Sequence, residues 1–416
     1  MRVCVIGAGV VGVTSAYFLA RQGHEVVLVD SRARPATVSS YANGGQLSYS
    51  YVAPLAGPGV LSSVPGWLLR ADSPLRFRPR LDPHQWLWSL QFALACRASV
   101  AQASTAQLQA LSYLSRDVMH RLLEQEELDF GHVRNGKLIA YRSPELLEKA
   151  RKLVDYQAAL GAEQRVLDAA ETLKLEPALA GLGHRLAGAV YTPSEEAGDC
   201  RQFTEALFRR LKELGNAECR MASPVRGLRR EGRKIVAVET ATGDIGADAV
   251  VLAAGMGSRA LLKPLGQDLP LYPLKGYSLS VPLAPDDDTA PAISVTDYER
   301  RIVYARVGRM LRIAAMVDIG SQDAEIDPAR IALLKHQVNE AFPQLDLGEA
   351  VAWAGLRPAT PTGKPLIGAS RVADNLWLNT GQGALGFTLA CGSAALLTAQ
   401  MSGLELPVDA APFKPR

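Results

Sequence analysis

Three glycines set between an apolar run and a helical pattern constrain this chain more than any other feature. Gly7, Gly9 and Gly12 stand in RVCVIGAGVVGVTSAYFLA, and Asp30 closes the next apolar run, EVVLVD. Each glycine answers a separate geometric need. Gly7 permits the tight turn out of a first strand, Gly9 lets the main chain approach a pyrophosphate, and Gly12 lets the following helix lie close to the sheet. The N–H groups of the first helical turn have no partners inside the helix, so they face the phosphates. Asp30 then puts a carboxylate where adenosine ribose hydroxyls arrive. A bare glycine motif recurs in many loops. The strand, the helix stopping at Gly23, the second strand and its terminal acid together select a dinucleotide pocket over an unliganded βαβ unit.

At 416 residues the chain exceeds the size at which single cores stop growing, so two domains sharing a cleft are expected. A net charge of +3 selects no anionic partner, and no nucleic acid is expected. The five cysteines are odd in number, widely spaced and free of C-x-x-C pairs, which suits a reducing compartment, and Cys4 reads as a small apolar filler inside the first strand. The six histidines show no metal-binding spacing, so no metal is expected. The first strand begins at Arg2, leaving no room for a signal peptide, and no apolar run approaches the length of a membrane span. A cytoplasmic protein is expected.

Prolines 54, 58, 65, 74 and 79 make residues 45–80 loop-like. Helical patterning follows at 84–126 and 144–161, with a strand pair around VRNGKLIAY, where Asn135-Gly136 signals a turn. Sheet-forming stretches begin near 187, a helix lies at 201–214, and strands recur through 270–318. A helix at 328–341 leads to a proline-rich loop, a short strand in NLWLNT and a last helix. The expected fold class is α/β: a Rossmann-like nucleotide domain from 1–50, 187–262 and 353–416, and a second α+β substrate or cap domain on an antiparallel-rich sheet from 51–186 and 263–352.

ADAVVLAAGMGS is an apolar strand ending in small residues, which let a backbone pass beside a ligand. In GQGALGFTLACGS, Gly381, Gly383 and Gly386 feed a helix N-terminus, a second electropositive spot. Two such spots suit a flavin, whose reduced ring is anionic at N1. GLRPATPTGKPLIG holds Arg357 among Pro358, Pro361 and Pro365, where a fixed guanidinium takes a carboxylate through two parallel hydrogen bonds; a surface salt bridge is the plainer alternative. Trp67, Trp86 and Trp88 lie among Arg70, Arg76, Arg78 and Arg80, either as a membrane-surface patch or as a packed helix with snorkelling arginines.

Together with SSYANGGQLSYSYVAPLAGPG and YPLKGYSLSV, these motifs resemble, in order and over essentially the whole length, the FAD-dependent D-amino acid dehydrogenases of the D-amino acid oxidase and glycine oxidase group. The resemblance implies FAD held by Val5, Ile6, Gly7, Ala8, Gly9, Val10, Val11 and Gly12, by Asp30, Ser31 and Arg32, and by Val225, Ala253, Ala254 and Gly255. It places Ser40, Asn43, Gly44, Gly45 and Gln46 along the flavin, and Gly383, Leu385, Gly386, Phe387 and Thr388 at its pyrimidine end. Arg357, which also borders the cofactor, receives the amino acid carboxylate, assisted by a tyrosine for which Tyr304 and Tyr298 are candidates. Gln382 stands where the similar dehydrogenases tend to carry histidine, and Tyr49 and Tyr51 are additions to the flavin-side loop.

The activity implied is oxidative deamination of a D-amino acid by hydride transfer to the flavin, with electrons passed to a quinone or other acceptor. Oxidation of D-proline-type cyclic amines, an electron-transfer subunit in a hetero-oligomer and an NAD-dependent enzyme are the alternatives. Contact with the inner face of the cytoplasmic membrane and a partner subunit are further expectations.

Overall fold

The computed structural model describes residues 1–61, 66, 72–158 and 163–415; Trp67 and Arg70 lie outside them. Uninterrupted apolar runs give the first sheet its position. Val3, Cys4 and Val5, Val26 to Val29 and Val250 to Leu252 are buried on both faces, the pattern of a parallel sheet covered by helices. The strand order is Leu366–Ala369, Leu376–Thr380, Ala249–Leu252, Arg2–Ile6, Glu25–Val29, Ala217–Arg220. All neighbours run parallel except the first pair. Arg2–Ile6 therefore has parallel neighbours on both sides, the switch point outside which open α/β sheets bind ligands. Cys4 is fully buried there, its thiol pushed up to about 12 by desolvation, as expected of a filler.

Helix Gly386–Ser402 packs against both Val10–Arg21 and Ala98–Gln125. With its lead-in from Gly383 it is long and apolar enough to cross a membrane, which corrects the expectation that no run approaches that length; most of it is buried inside the domain. Leu108, Leu111, Val118 and Leu122 of Ala98–Gln125 share one core with Val3, Val5 and Val13. That helix thus belongs with the nucleotide domain and not with the 51–186 block. The helical patterning at 84–126 forms two helices, Pro83–Ala95 and Ala98–Gln125, separated where Arg97 turns extended.

The second sheet has nine strands, in the order Val351–Ala359, Tyr272–Pro282, Met310–Ile319, Ile302–Val307, Ser294–Asp297, Lys137–Tyr141, Gly188–Thr192, Arg165–Asp168, with Leu75–Phe77 paired to Met310–Ile319. Two domain boundaries move accordingly. Gly188–Thr192 and Val351–Ala359, read from sequence as parts of the nucleotide domain, are strands of this sheet. The hairpin at Asn135-Gly136 also fails to form. Gly136 turns at φ +75, but Lys137–Tyr141 pairs with the distant Gly188–Thr192 and Ser294–Asp297 instead of with its sequence neighbour.

Strand alternation divides the sheet into two faces. One carries Leu138, Tyr277, Leu279, Val295, Tyr304 and Ile313 into a core closed by Leu334, Val338 and Phe342. The other meets the segment 43–46. β-carbons placed on Gly44 and Gly45 would come within 3.4 Å of Ala314 and of Val307 respectively.

Candidate active site

The nucleotide cradle is built almost wholly within one βαβ unit. Gly7 adopts φ +110, and a β-carbon there would fall 2.6 Å from the Ala253 carbonyl oxygen; one on Gly12 would fall 1.8 Å from the Gly7 oxygen. Both contacts are with backbone, so neither can yield. Gly9 differs: its nearest neighbour would be Ser40 Oγ at 3.4 Å. At Gly9 no backbone stands in the way, whereas Gly7 and Gly12 lock strand to helix. Ser40 Oγ accepts from Val10 N at 3.1 Å, so it borders the helix start from outside the motif, and Val11 follows in the same turn.

Asp30 is fixed before any ribose arrives. Its two carboxylate oxygens accept from Ala8 N at 2.6 Å and Arg32 N at 2.7 Å. Further lone pairs remain for hydroxyl donors. Beside it Ser31 is exposed, and Val225 packs against the cluster that holds Ile6 and Val29. Ala253 N donates to Ile6 O, while Ala254 and Gly255, at φ +54, turn the chain away from the sheet edge. This geometry suits the adenosine and pyrophosphate parts of FAD.

Protein donors grip the segment carrying Asn43, Gly44, Gly45 and Gln46 by its carbonyls. Ser278 Oγ donates to Ala42 O at 2.7 Å, Arg312 Nη1 to Asn43 O at 3.1 Å, and Gly198 N to Gly45 O at 2.8 Å. Arg312 is nearly buried and paired with Asp199 at 3.1 Å. Sequence reading missed it because nothing near Arg312 in the chain announces the loop it holds, 269 residues away. Gln46 Nε2 reaches the carbonyls of Val295 and Tyr304, and Gln46 O accepts from Thr388 Oγ1 at 3.5 Å. That last contact brings the helix preceded by Gly383 and Leu385, and opened by Gly386 and Phe387, beside strand Gln46–Leu47. Next along, Leu47 pairs with Glu196, whose buried carboxylate accepts from His132 Nε2 at 2.8 Å and His120 Nε2 at 2.5 Å.

Arg357 lies on strand Val351–Ala359, where sequence had suggested a proline-rich loop. Its guanidinium rests on Gly276 of the neighbouring strand, where a β-carbon would fall 2.2 Å from Nη2. Gly276 lies opposite a β-bulge. The register jumps from Lys275↔Asp318 to Tyr277↔Ala315, and Met316 in the bulge takes φ +65. A bulge re-aims the groups around it. Here the Met316 carbonyl accepts from Arg357 Nη1 at 3.1 Å. No carboxylate among the described residues pairs with Arg357, and desolvation alone pulls its pKa down to about 10. An unpaired cation held in a desolvated bed is a site for an anion.

Neither tyrosine candidate joins it. Tyr304 occupies the opposite face of the sheet, 1% exposed, its ring 4.8 Å from Phe342. Val303 and Ala305 on either side of it face the flavin segment, so alternation sends Tyr304 away, and only its carbonyl reaches Gln46. Tyr298 lies three intervening strands from Arg357, with its ring on Tyr141 at 4.8 Å and beneath the Arg301 guanidinium. Gln382 is buried, and its amide donates to Asn379 at 2.7 Å. Tyr49 is buried as well, while Tyr51 lies over the Lys137 ammonium at 4.4 Å.

Comparison with known proteins places this chain in a family over nearly its whole length. Residues 2–400 match the family model DAO, described as FAD dependent oxidoreductase. The chain is 50% identical over 422 residues to D-amino acid dehydrogenase 2 of Ralstonia nicotianae, covering 99% of each, and 50% identical over 418 residues to D-amino acid dehydrogenase 2 of Pseudomonas aeruginosa, covering 100% of this chain and 98% of the relative. In fold it is similar to glycine oxidase from Geobacillus kaustophilus, with a TM-score of 0.77 at 22% identity, covering 100% and 98% of the two chains.

Proposed function

Since the chain belongs to the DAO family of FAD-dependent oxidoreductases, we propose that it oxidises D-amino acids to 2-oxo acids and ammonia and passes the electrons to a quinone or another carrier. Arg357 carries this reading: a desolvated guanidinium, seated on Gly276 and lacking a carboxylate partner among the described residues. A substrate carboxylate supplies the missing counter-charge through two parallel hydrogen bonds. FAD, which the glycine turn, Asp30 and residues 43–46 would hold, would supply the hydride acceptor for the substrate's Cα–H. Held between Arg357 and the segment 43–46, the amino acid has one orientation, and catalysis rests on that positioning. The imino acid released is hydrolysed by water.

The electron acceptor fits a surface feature. Helix Pro83–Ala95 exposes Trp86, Leu87, Leu90 and Leu94, each by more than 40%, and Leu81 precedes them. Trp88 is buried against the Ala359 carbonyl, and Arg76 is tied to Asp318 and Asp327, so the patch read from sequence divides between inside and outside. The outer part supports peripheral attachment to the inner face of the cytoplasmic membrane, where a quinone is at hand.

Dye reduction by the purified flavoprotein, measured over matched D- and L-amino acids and D-proline, tests the activity. We expect oxidation of D-enantiomers, and a fall of about 10³-fold in kcat/KM for Arg357→Ala with FAD still bound, as for loss of a buried charge pair. Oxidation of L-enantiomers alone, or near-normal turnover in Arg357→Ala, overturns the reading.

A further inference from the structure

A second cation without a carboxylate partner among the described residues lies on the same face of the nine-stranded sheet, and the reaction as described does not use it. Lys137 is 3% exposed. Its ammonium donates to Ser48 Oγ at 2.9 Å and lies 4.4 Å from the centre of the Tyr51 ring. No carboxylate pairs with it among the described residues. Glu195 acts on it only at a distance, its oxygens accepting instead from Tyr49 N at 2.6 Å, Ser50 N at 2.9 Å and the Ser50 hydroxyl. The other titratable groups on this side are Tyr51 and, around its ring, Tyr141, Tyr298 and Arg301.

Burying an ammonium without a paired charge costs stability, and such costs gather at functional sites. The hydrogen bonds show where this one leads. Ser48 Oγ, which accepts from the lysine, donates to Gln46 Oε1 at 3.4 Å, and Gln46 Nε2 donates onward to the Val295 and Tyr304 carbonyls. The amide of a residue in the flavin-side segment is therefore oriented from its oxygen end by a chain that begins at the ammonium. The same ammonium supports Tyr51 from beneath.

We propose that Lys137 is a positioning residue: through Ser48 it fixes the Gln46 amide, under Tyr51 it holds residues 49–51 against the sheet, and its charge thereby sets how firmly FAD and the amino acid are held. This rests on the FAD-dependent reading above. Burial pulls the lysine down to about 8, so the positioning charge is present at neutral pH and lost above it.

The test compares Lys137→Met and Ser48→Ala with the wild type. FAD dissociation constants are measured by flavin fluorescence on the apoproteins, kcat/KM for a D-amino acid is followed from pH 6 to 10, and apoprotein melting is recorded at pH 7. Lys137→Met is expected to bind FAD about tenfold more weakly, the scale of one lost charge-assisted hydrogen bond, and to lack the decline in kcat/KM that the wild type shows above about pH 8. Its melting temperature should not fall, because a thioether replaces a desolvated ammonium. Ser48→Ala should weaken FAD by about threefold and blunt the pH decline, because the lysine then acts through Tyr51 alone. Wild-type FAD affinity with an unchanged pH profile in Lys137→Met overturns the proposal, as does a lowered melting temperature with unchanged affinity, which is the signature of a purely structural lysine. If Lys137→Met does not fold, Ser48→Ala decides, and a wild-type FAD constant there overturns it. Should the wild type oxidise no D-amino acid, the proposed function fails while the FAD constants still judge Lys137.

Discussion

The nucleotide cradle and the anion clamp do comparable work, each holding a charged group, yet they are assembled by opposite routes. The cradle draws its turn, helix start and acid from residues 7–30 and is locked by contacts between Gly7, Gly12 and Ala253. The clamp draws Gly276, Met316 and Arg357 from three strands and depends on a bulge to bring a carbonyl to the guanidinium. A site made from contiguous backbone tolerates almost no change of shape. A site made from a long side chain over a glycine has slack, because the guanidinium can shift at the expense of its aim.

The largest expected effect lies on the rigid side. Gly12→Ala places a β-carbon against the Gly7 oxygen, two backbones that cannot part without separating helix from sheet, and we expect no soluble yellow protein from it. Recovery of normal flavin absorbance would break the contrast. Gly276→Ala should be milder and selective: the displaced Arg357 lowers kcat/KM by about 10²-fold, as for misplacement by about an ångström, while the FAD dissociation constant stays put. Parallel losses in both would show that the two sites are one.

Glu196, paired with Leu47, sharpens the comparison through pH. Burial pushes its carboxyl up, but the hydrogen bonds from His132 and His120 prevail and hold it below its ordinary value. The unfolded chain then binds more protons in acid, so this stabilisation is present above about pH 4.5 and is lost as pH falls through the folded value. Glu196→Gln should cost about 2 kcal/mol at pH 7 and flatten the acid side of the stability curve, measured by urea midpoints. The smallest effect on activity is expected at Met316→Gly, which relieves a left-handed residue but removes a buried apolar side chain, so stability should fall by about 2–4 kcal/mol with activity kept because the carbonyl remains. An activity loss above about threefold would transfer the role from the carbonyl to the thioether side chain.

What could be read beforehand follows the same division. Gly7, Gly9, Gly12 and Asp30 announce themselves because their spacing is the geometry. Arg357 could be singled out by its motif, but not its seat, since Gly276 is 81 positions earlier and looks like any strand glycine. Tyr304 misled because an aromatic in a strand has two faces to choose from, and only its pairing with Ile313, and that of Val303 with Ala314, across the ladder reveals which. Asn135-Gly136 misled for a related reason: a good turn does not make a hairpin when the apolar partners of Lys137–Tyr141 lie elsewhere. Lys137 itself gave no signal, as a lysine opening a strand is ordinarily a solvated one.

The grip on the flavin-side segment has one more consequence. Ser278, Arg312, Gly198 and Thr388 hold the oxygens of residues 42, 43, 45 and 46, and every L-amino acid offers that atom alike. Those oxygens are thus held whatever the side chains, but the glycine letter at 45 is not free to change, since the residue sits at φ +67 and a β-carbon there would fall 3.2 Å from the Gly198 oxygen.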